Sequence, residues 1–376
     1  LLLDLWLRPG SKGVLPYLAL AGLLAGMVGV SPLLGRNEET LGGMLAVDRF
    51  AVFFKVLVMA VGAAVVLSSA EFGRRRGIAP GEYYSVIVFA VLGMGLMASS
   101  RDLVTIYLGL ELSSISSYIL AGMLRHDPKS NEAAVKYFLV GALGSAVLLF
   151  GMSLVYGVSG TTYLPAVAVG LKAGGPVAGA GASVGAGASA AGATSGSAAV
   201  AAGISSAAWA GVVFLVAGFG IKLAAAPFHM WVPDVYEGAP TPITAFFSVG
   251  PKAAAFAAVL RVFGVGLAGM EAGWAAAFAV LSVLTMFVGN LTALLQTNIK
   301  RMLGYSSVAQ AGYLLLGLAV ATPRAFTAMA FYLAAYAITN LLVFAVVIML
   351  NNHGVGDEVE DYDGLGQKSP VHAWAM

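Results

Sequence analysis

Residues 208–231, AWAGVVFLVAGFGIKLAAAPFHMW, decide the fold class of this chain. The stretch is almost wholly apolar and is long enough for a membrane-spanning helix, which needs about 20 such residues. One lysine, Lys222, interrupts it, with Gly218 and Gly220 before it. Pro227 follows and cannot donate the backbone hydrogen bond that a continuous helix needs. We therefore predict a spanning helix that is broken beside a buried cation.

The composition of the whole chain also indicates a protein that faces lipid. Hydrophobic residues make up 59% of its 376 residues and charged residues only 10%, whereas a soluble domain carries about 25% charged residues. So few charges cannot cover a water-facing surface. The net charge of +2 is too small to indicate nucleic acid, so we expect lipid and other proteins as partners.

Cysteine is absent, which excludes disulfides and thiolate-held metal or iron–sulfur sites. The four histidines have no spacing typical of a metal site. We therefore expect no metal or redox cofactor in this chain, and any redox chemistry must take place in another one. The histidines are His126, His229, His353 and His372.

Ten segments are apolar enough to span a membrane. Open strands are excluded in hydrocarbon, because every backbone polar group there must be paired internally. We therefore predict an all-α, multi-pass integral membrane protein. The predicted spans are 14–34, 48–70, 82–100, 102–124, 131–157, 208–226, 240–266, 272–296, 301–321 and 324–350.

Basic residues in the loops predict the orientation. The loop 71–81 carries Arg74, Arg75 and Arg76, and loops rich in Lys and Arg stay on the inside of the membrane. Alternation of the ten spans from that loop places eleven Lys and Arg residues inside and five outside. This asymmetry supports both the orientation and the number of spans.

Residues 170–203 differ in kind from the rest of the chain. They are nearly all Gly, Ala, Ser and Val, with one lysine. We interpret this stretch as a flexible outside loop. The alternative is an eleventh helix rich in Ala and Gly, but an extra span would remove the excess of basic residues on the inside.

The two halves of the chain carry copies of an internal repeat, offset by 195 residues. The copies begin five helices apart, and because that step is odd they should cross the membrane in opposite directions, as in many secondary transporters. The matched pairs are Gly109–Gly304, Tyr118–Tyr313, Leu120–Leu315, Gly122–Gly317, Pro128–Pro323, Ala133–Ala328 and Tyr137–Tyr332.

This repeat divides the chain into four parts. Both ends of the sequence read as cut from a longer chain, since Leu1–Leu7 is typical of the tail of a helix. The predicted parts are the end of a truncated first helix with an inside loop (1–13), peripheral spans (14–100), a first repeat that contains the Ala/Gly-rich loop (102–266), and the truncated start of a second, inverted repeat (272–376).

Ionisable residues inside predicted spans are the candidate functional residues, because a charge in the bilayer costs from about 2.5 to over 10 kcal/mol. Glu111 lies near the middle of its span in GLELSSISSY, among serines whose hydroxyls can hold water and relay protons. Lys222 lies beside the predicted helix break. Movement of the Glu111 charge could load or unload a proton on Lys222. The alternatives are a structural ion pair for Glu111 and a lysine that reaches the interface for Lys222.

Further charged residues extend this set. Lys252 follows Pro251 in the next span, where the helix should again be weakened. Lys55 is better explained by reaching the outer interface beside Asp48 and Arg49. His229 lies at the inside end of the broken helix, where it could take up a proton or cap the loop.

Two lysines predicted on the inside each allow two interpretations. Lys136 could pair with Glu132 one helical turn earlier or extend the polar line inward. Lys300 and Arg301 lie at the inside end of a predicted span, where basic residues commonly anchor the helix. We keep Lys136 and Lys300 as possible relay residues and interpret Arg301 as an anchor.

Several motifs give the chain a family resemblance. KLAAAPFHMWVPDVYEGAPTP (222–242) and LLQTNIKRMLGYSSVAQAGY (294–313) resemble subunit N of the proton-pumping NADH–quinone oxidoreductases. GLELSSISSY, KSNEAAVKYFLVGALGSAVLLFG and VDRFAVFFK strengthen the likeness, and the motifs occur in the order of the family. Only the Ala/Gly-rich stretch looks unlike it.

The resemblance implies an antiporter-like fold of fourteen helices with two inverted five-helix repeats and broken helices. It places the acidic partner of the family at Glu111 and its two lysines at Lys222 and Lys252, as a proton relay. Helices twelve to fourteen and the matching lysine of the second half would lie past Met376. Related subunits often carry a histidine where this chain has Gln310, so a relay there would need water.

The resemblance also implies that NADH, FMN, iron–sulfur clusters and quinone bind to other subunits, and that other membrane subunits are the partners. The function implied is proton translocation coupled at a distance to quinone reduction. Two alternatives stay open: a subunit of a related cation/proton antiporter or membrane-bound hydrogenase complex, and a structural membrane scaffold.

Overall fold

The computed structural model describes residues 2–7, 9–173 and 205–375. Most of the predicted outside loop, from residue 174 onward, lies outside the described residues. Its first four residues, 170–173, are the end of a helix rather than loop. The helices are α1 (Leu2–Trp6), α2 (Leu15–Val30), α3 (Arg49–Arg75), α4 (Pro80–Ser99), α5 (Leu103–Ala121), α6 (Pro128–Ser159), α7 (Leu164–Ala173), α8 (Ser206–Leu223), α9 (Val232–Gly238), α10 (Thr241–Arg261), α11 (Glu271–Ala293), α12 (Ile299–Val320), α13 (Pro323–Asn352), α14 (Leu365–Lys368) and α15 (Pro370–Ala375).

The ten predicted spans are confirmed. Ten helical segments among the described residues are long and apolar enough to cross a membrane, and each coincides with one predicted span within a few residues. They are α2 to α6, α8 and α10 to α13, with short 3₁₀ turns extending α2 and a π-helical turn (Val262–Gly266) extending α10. A two-stranded hairpin of β1 (Glu38–Thr40) and β2 (Leu45–Val47) joins α2 to α3. Apolar length and internal backbone pairing account for this all-helical bundle.

Contacts between loops separate the bundle into two faces, which agrees with the predicted alternation of spans. On the predicted inside face, Arg75 Nη1 donates to the carbonyl of Asn352 at 2.6 Å. On the predicted outside face, Tyr163 donates to Glu39 at 2.9 Å. We use the names inside face and outside face for these two ends of the bundle.

Helix α10 forms the centre of the bundle. Nearly all of its residues are buried, and it packs against α3, α4, α5, α8, α12 and α13. Its run of small residues, Ala253–Ala258 around Phe256, lets these neighbours approach closely. Helix α2, in contrast, is mostly exposed at the periphery, where it can face lipid.

Close backbone contacts hold α4 against α5. A Cβ atom at Gly93 would lie 2.6 Å from both the carbonyl oxygen of Gly109 and the amide nitrogen of Ser113. A similar contact holds α11 against α12, where a Cβ atom at Gly289 would lie 2.5 Å from the amide nitrogen of Ala309. Small residues at such crossings are typical of membrane helix pairs. Helices α5 and α12 carry matching positions of the predicted repeat, and each packs against the helix that precedes it along the chain.

A partly buried ion pair ties α3 to α10 near the outside face. Asp48 accepts two hydrogen bonds from Arg261, at 2.7 and 2.8 Å, and also caps α3 by accepting from Ala51 N. The guanidinium lies 4.6 Å from the ring centroid of Phe50. Burial alone would raise the pKa of Asp48, but the hydrogen bonds and charge of Arg261 outweigh it and hold that pKa below its usual value.

Gly93→Ala should destabilise the protein by about 1–3 kcal/mol, because the added methyl group overlaps backbone atoms of α5 that cannot move aside. The measurement is thermal unfolding of the purified full-length protein in detergent. Gly22→Ala is the matched control, since a Cβ atom there has no neighbour within 4 Å. Equal stability of the two variants would show that α4 and α5 do not pack as described.

Asp48→Asn should lower stability by about 1–3 kcal/mol at neutral pH, between the values of exposed and buried ion pairs. The lowered pKa of Asp48 means that this stabilisation is present above the usual carboxyl pKa and is lost as the pH falls through the folded-state value. Unfolding curves at several pH values test this, with Glu38→Gln as the exposed control. A difference that persists unchanged into acid would contradict the ion pair.

Candidate functional site

The broken helix lies where the sequence predicts it. Helix α8 ends at Leu223, one residue after Lys222, and Ala224 follows in a left-handed conformation with φ +58°. The Ala226–Pro227 peptide bond is cis. Because the break lies within the bundle, its backbone groups need partners from the protein. Trp231 Nε1 donates to the carbonyl of Ile221 at 3.3 Å, and Ala226 N donates to Thr285 Oγ1 at 2.9 Å.

Lys222 is held by neutral groups. Its Nζ donates to Ser145 Oγ at 2.8 Å, to the carbonyl of Gly141 at 3.1 Å, to Ser114 Oγ at 3.2 Å and to Tyr118 OH at 3.4 Å. It also occupies the last turn of α8, where the negative end of the helix dipole favours a cation. No carboxylate among the described residues forms an ion pair with it. Among the described residues, the direct hydrogen-bond partners of this nitrogen are therefore all neutral.

Glu111 lies near Lys222 without touching it. The four hydrogen-bond partners of Lys222 do not include the carboxylate, and the two side chains form no ion pair in the described part of the chain. Ser114, one turn along α5 from Glu111, makes the direct contact with Lys222. Glu111 Oε1 is buried and has no hydrogen-bond partner among the described residues. A buried oxygen without a partner usually binds a water molecule or a proton.

The serines around Glu111 have different roles. Ser116 and Ser117 donate to the carbonyls of Leu112 and Ser113 on their own helix. Of the four serines in this segment, only Ser114 contacts the lysine in the described part of the chain.

Lys252 is buried in the centre of the bundle. Its Nζ donates to the carbonyl of Ser307 at 2.5 Å and also to the hydroxyl of that residue. The same hydroxyl contacts Tyr236 OH at 3.1 Å and Tyr336 OH at 3.0 Å. The helix is expected to be weakened at Pro251; helix α10 continues through this proline, which removes one backbone donor.

His229 lies in the connection between α8 and α9. Its ring packs edge-on against Tyr305, with centroids 6.3 Å apart. Nδ1 is buried without a hydrogen-bond partner among the described residues, and burial lowers the pKa of the imidazole. The side chain is therefore placed to bind water beside the helix break.

An ion cluster on the inside face joins α6, α9 and α12. Burial alone would raise the pKa values of Asp234 and Glu237, but hydrogen bonds and charges from their basic partners outweigh it and lower both. Lys136 thus pairs with Glu132, as one prediction had it, and also with Asp234. The pairs are Lys129–Glu237 (2.7 Å), Lys136–Glu132 (2.6 Å), Lys136–Asp234 (2.5 Å), Arg301–Asp234 (2.7 Å) and Arg301–Glu237 (2.9 Å).

Lys300 is not exposed to solvent, as a lysine that only anchors the end of a span would be. It is 6% exposed and pairs with Asp357 at 3.1 Å. Its neighbour Arg301 is more exposed and belongs to the ion cluster. Lys55, which is expected to reach the outer interface beside Asp48 and Arg49, is partly buried, and Asp48 binds Arg261.

The groups that surround the two central lysines were not predicted from the sequence. Ser145 and the Gly141 carbonyl come from α6, and Ser307 comes from α12, far from either lysine along the chain. The only signal for them is that they are polar or small residues within apolar spans. No group of acidic, histidine or cysteine side chains in the described part of the chain is arranged to hold a metal ion.

Comparisons with known sequences show the family of the chain. A family model described as "NADH:quinone oxidoreductase/Mrp antiporter, TM" matches residues 100–376. Subunit N 2 of the NADH-quinone oxidoreductase of Symbiobacterium thermophilum is 49% identical over 348 residues, which cover 91% of this chain and 65% of the relative. Subunit N of Trichlorobacter lovleyi is 43% identical over 378 residues, which cover 100% of this chain and 72% of the relative. The chain thus spans about two thirds of the length of these relatives.

Solved structures show the same fold. A chain of respiratory complex I from Thermus thermophilus superposes with a TM-score of 0.73 at 32% identity, over 99% of this chain and 73% of that one. Chains of an archaeal membrane-bound sulfane sulfur reductase and of the Mrp complex of Dietzia share the fold at 22% identity, with TM-scores of 0.79 and 0.73. The matches cover 72% and 63% of those two chains. On the family model and the relatives together, the chain belongs to the NADH:quinone oxidoreductase/Mrp antiporter family of membrane subunits.

Proposed function

We propose that this chain is a proton-translocating subunit N of an NADH–quinone oxidoreductase, with NADH, FMN, iron–sulfur clusters and quinone bound by other subunits. Relatives named subunit N, at 40–49% identity over most of the chain, support this assignment over other complexes that share the fold. Lys222, Glu111 and Lys252 would carry the protons.

The observation that carries the proposal is the set of neutral partners around Lys222. A hydroxyl group can accept from an ammonium group or donate to a neutral amine. The hydroxyls of Ser145, Ser114 and Tyr118 can therefore serve both protonation states of Lys222. A contacting carboxylate would fix the charged state, and none is present among the described residues. This arrangement suits a group that gains and loses a proton.

In this proposal, Glu111 controls the protonation state of Lys222. A negative charge nearby favours the ammonium form, and its neutralisation or withdrawal favours release of the proton. Glu111 lies one helical turn before Ser114, which contacts Lys222, but the two charged side chains are not joined in an ion pair among the described residues. Protons from the inside would reach Lys222 through water near His229.

Lys252 is the second proton carrier of the proposed relay. Its amine also has a hydroxyl partner, Ser307, which is joined to two tyrosine hydroxyls. Lys222 and Lys252 do not touch, so transfer between them requires water or a side-chain movement along the midplane of the bundle. From Lys252 the proton would pass to the second half of the full-length protein.

The two alternative functions make different predictions. A cation/proton antiporter or hydrogenase subunit would use the same lysines but would copurify with a different set of subunits. A structural scaffold would tolerate neutral replacement of Glu111 and Lys222.

Lys222→Met should abolish most NADH-driven proton uptake in the full-length protein within its complex, because the methionine fills the site but cannot carry a proton. Proton uptake and NADH oxidation are measured together in inverted membrane vesicles. Lys129→Met is the matched control, since Lys129 forms an exposed surface pair with Glu237. An assembled Lys222→Met complex with normal uptake per NADH would exclude the relay.

Ser145→Ala should slow proton-coupled turnover by roughly tenfold or more, because a hydrogen bond to a charged group contributes about 1.5–3 kcal/mol. Ser153→Ala on the same helix is the control, since its hydroxyl is exposed and bonds only to the carbonyl of Phe150. Turnover is measured as NADH oxidation by assembled complex in inverted vesicles. Equal rates in the two variants would show that Ser145 does not serve Lys222.

A further inference from the structure

The end of α8 provides acceptors for the first two amides of the helix break. Ala224 N donates to the carbonyl of Ile221 at 3.2 Å, and Ala225 N donates to the carbonyl of Gly220 at 2.8 Å. These two bonds are the pattern of a Schellman motif, in which the first residue after the helix is left-handed and is usually glycine. Here that residue is Ala224, with φ +58°. The motif therefore carries backbone strain two residues after Lys222.

The next amide along the chain bonds to a different helix. In an uninterrupted α-helix, Ala226 N would donate to the carbonyl of Lys222, four residues earlier. Here it donates to Thr285 Oγ1 at 2.9 Å. Pro227 follows and has no amide hydrogen to offer. The hydroxyl of Thr285 thus takes the place of the Lys222 carbonyl as the acceptor for Ala226.

Thr285 is held in the orientation that this bond needs. Its hydroxyl donates to the carbonyl of Leu281 on its own helix, α11, which leaves the oxygen lone pairs free for another donor. Thr285 is 0% exposed and Ala226 is 2% exposed, so bulk water does not compete for the bond. Because a buried amide without an acceptor is costly, this hydroxyl fixes the position of Ala226.

Thr285 lies on the buried side of α11, whose opposite side is mostly exposed. A second buried hydroxyl on the same side, that of Ser282, donates to the carbonyl of Gly312 on α12 at 2.7 Å. The two hydroxyls therefore have different partners, because Ser282 bonds to α12 and Thr285 bonds to the break after α8. Helix α11 begins the predicted second repeat, so Thr285 joins the break of the first repeat to the second.

We propose that Thr285 is a positioning residue for Lys222. Its hydroxyl keeps the amide of Ala226 away from the Lys222 carbonyl, and so keeps the end of α8 one residue after the lysine. Without that acceptor, Ala226 N would compete for the Lys222 carbonyl. The strained turn at Ala224 would then rewind and turn the ammonium group away from Ser145. This role rests on the proposed function, in which Lys222 carries a proton, but the position of Lys222 can be measured separately from pumping.

Nitrogen-15 NMR of lysine-labelled, full-length protein in its complex measures the surroundings of Lys222 Nζ, with Lys222→Met to assign the signal. Thr285→Val keeps the shape of the side chain but removes the acceptor, so the Lys222 signal should move. Thr285→Ser keeps the acceptor and should leave the signal in place. Ser282→Ala is the matched control, since it removes the buried hydroxyl of α11 that bonds to α12. An unmoved signal in Thr285→Val, or an equal shift in Ser282→Ala, would overturn the proposal.

Proton uptake gives a second readout of the same variants. Thr285→Val should lower NADH-driven uptake in inverted vesicles by roughly fivefold or more, because a buried amide loses its acceptor. Thr285→Ser should retain the uptake of the unsubstituted protein. A serine variant as slow as the valine variant would show that the hydroxyl is not what matters. Normal pumping by Lys222→Met would remove the proposed relay and leave the NMR result standing.

A rescue experiment covers the case in which Thr285→Val fails to assemble. Glycine adopts the left-handed conformation without strain, so Ala224→Gly should hold the break without the Thr285 bond. Added to Thr285→Val, it should restore assembly, the Lys222 signal and most proton uptake. Ala225→Gly is the control, because it removes a methyl group from an equally buried residue whose φ is not positive. No rescue by Ala224→Gly, or equal rescue by Ala225→Gly, would contradict the proposal.

Discussion

The structure depends on how a lysine is accommodated within a membrane-spanning bundle. Hydrocarbon supplies no partner for an ammonium group, so the protein must supply them all. At Lys222 it does so by ending α8 one residue later and by surrounding the nitrogen with hydroxyls and a carbonyl. The helix break and the polar partners therefore together offset the free-energy cost of placing the Lys222 charge within the membrane.

The same solution recurs at Lys252 with different helices. Each lysine binds a serine hydroxyl and a backbone carbonyl, and each has a tyrosine hydroxyl within this set of contacts. Charges on the inside face are arranged differently, because there Lys129, Lys136, Lys300 and Arg301 are paired with carboxylates. Fixed charges thus hold the ends of the helices together, while the two central lysines have only neutral partners in contact.

Apolar length and loop charge predict most of the fold from the sequence. The ten spans, their alternation and the break after Lys222 follow from hydrophobic runs, basic loops and Pro227, since each is a local property of the chain. Pro251 shows the limit of that reasoning, because α10 continues through it where its packed neighbours stabilise the helix. The partners of Lys222 and Lys252 could not be predicted, since Ser145 and Ser307 come together with them only through the packing of distant helices. The pairing of Asp48 with Arg261 was missed for the same reason.

The central claim is that Lys222 changes its protonation state during turnover. Nitrogen-15 NMR of lysine-labelled complex, with Lys222→Met to assign the signal, reports whether its Nζ is an ammonium group or an amine. The account predicts that both forms are populated and that the ratio shifts when Glu111 is replaced by glutamine. A Lys222 that stays fully charged across the working pH range, in both proteins, would contradict it.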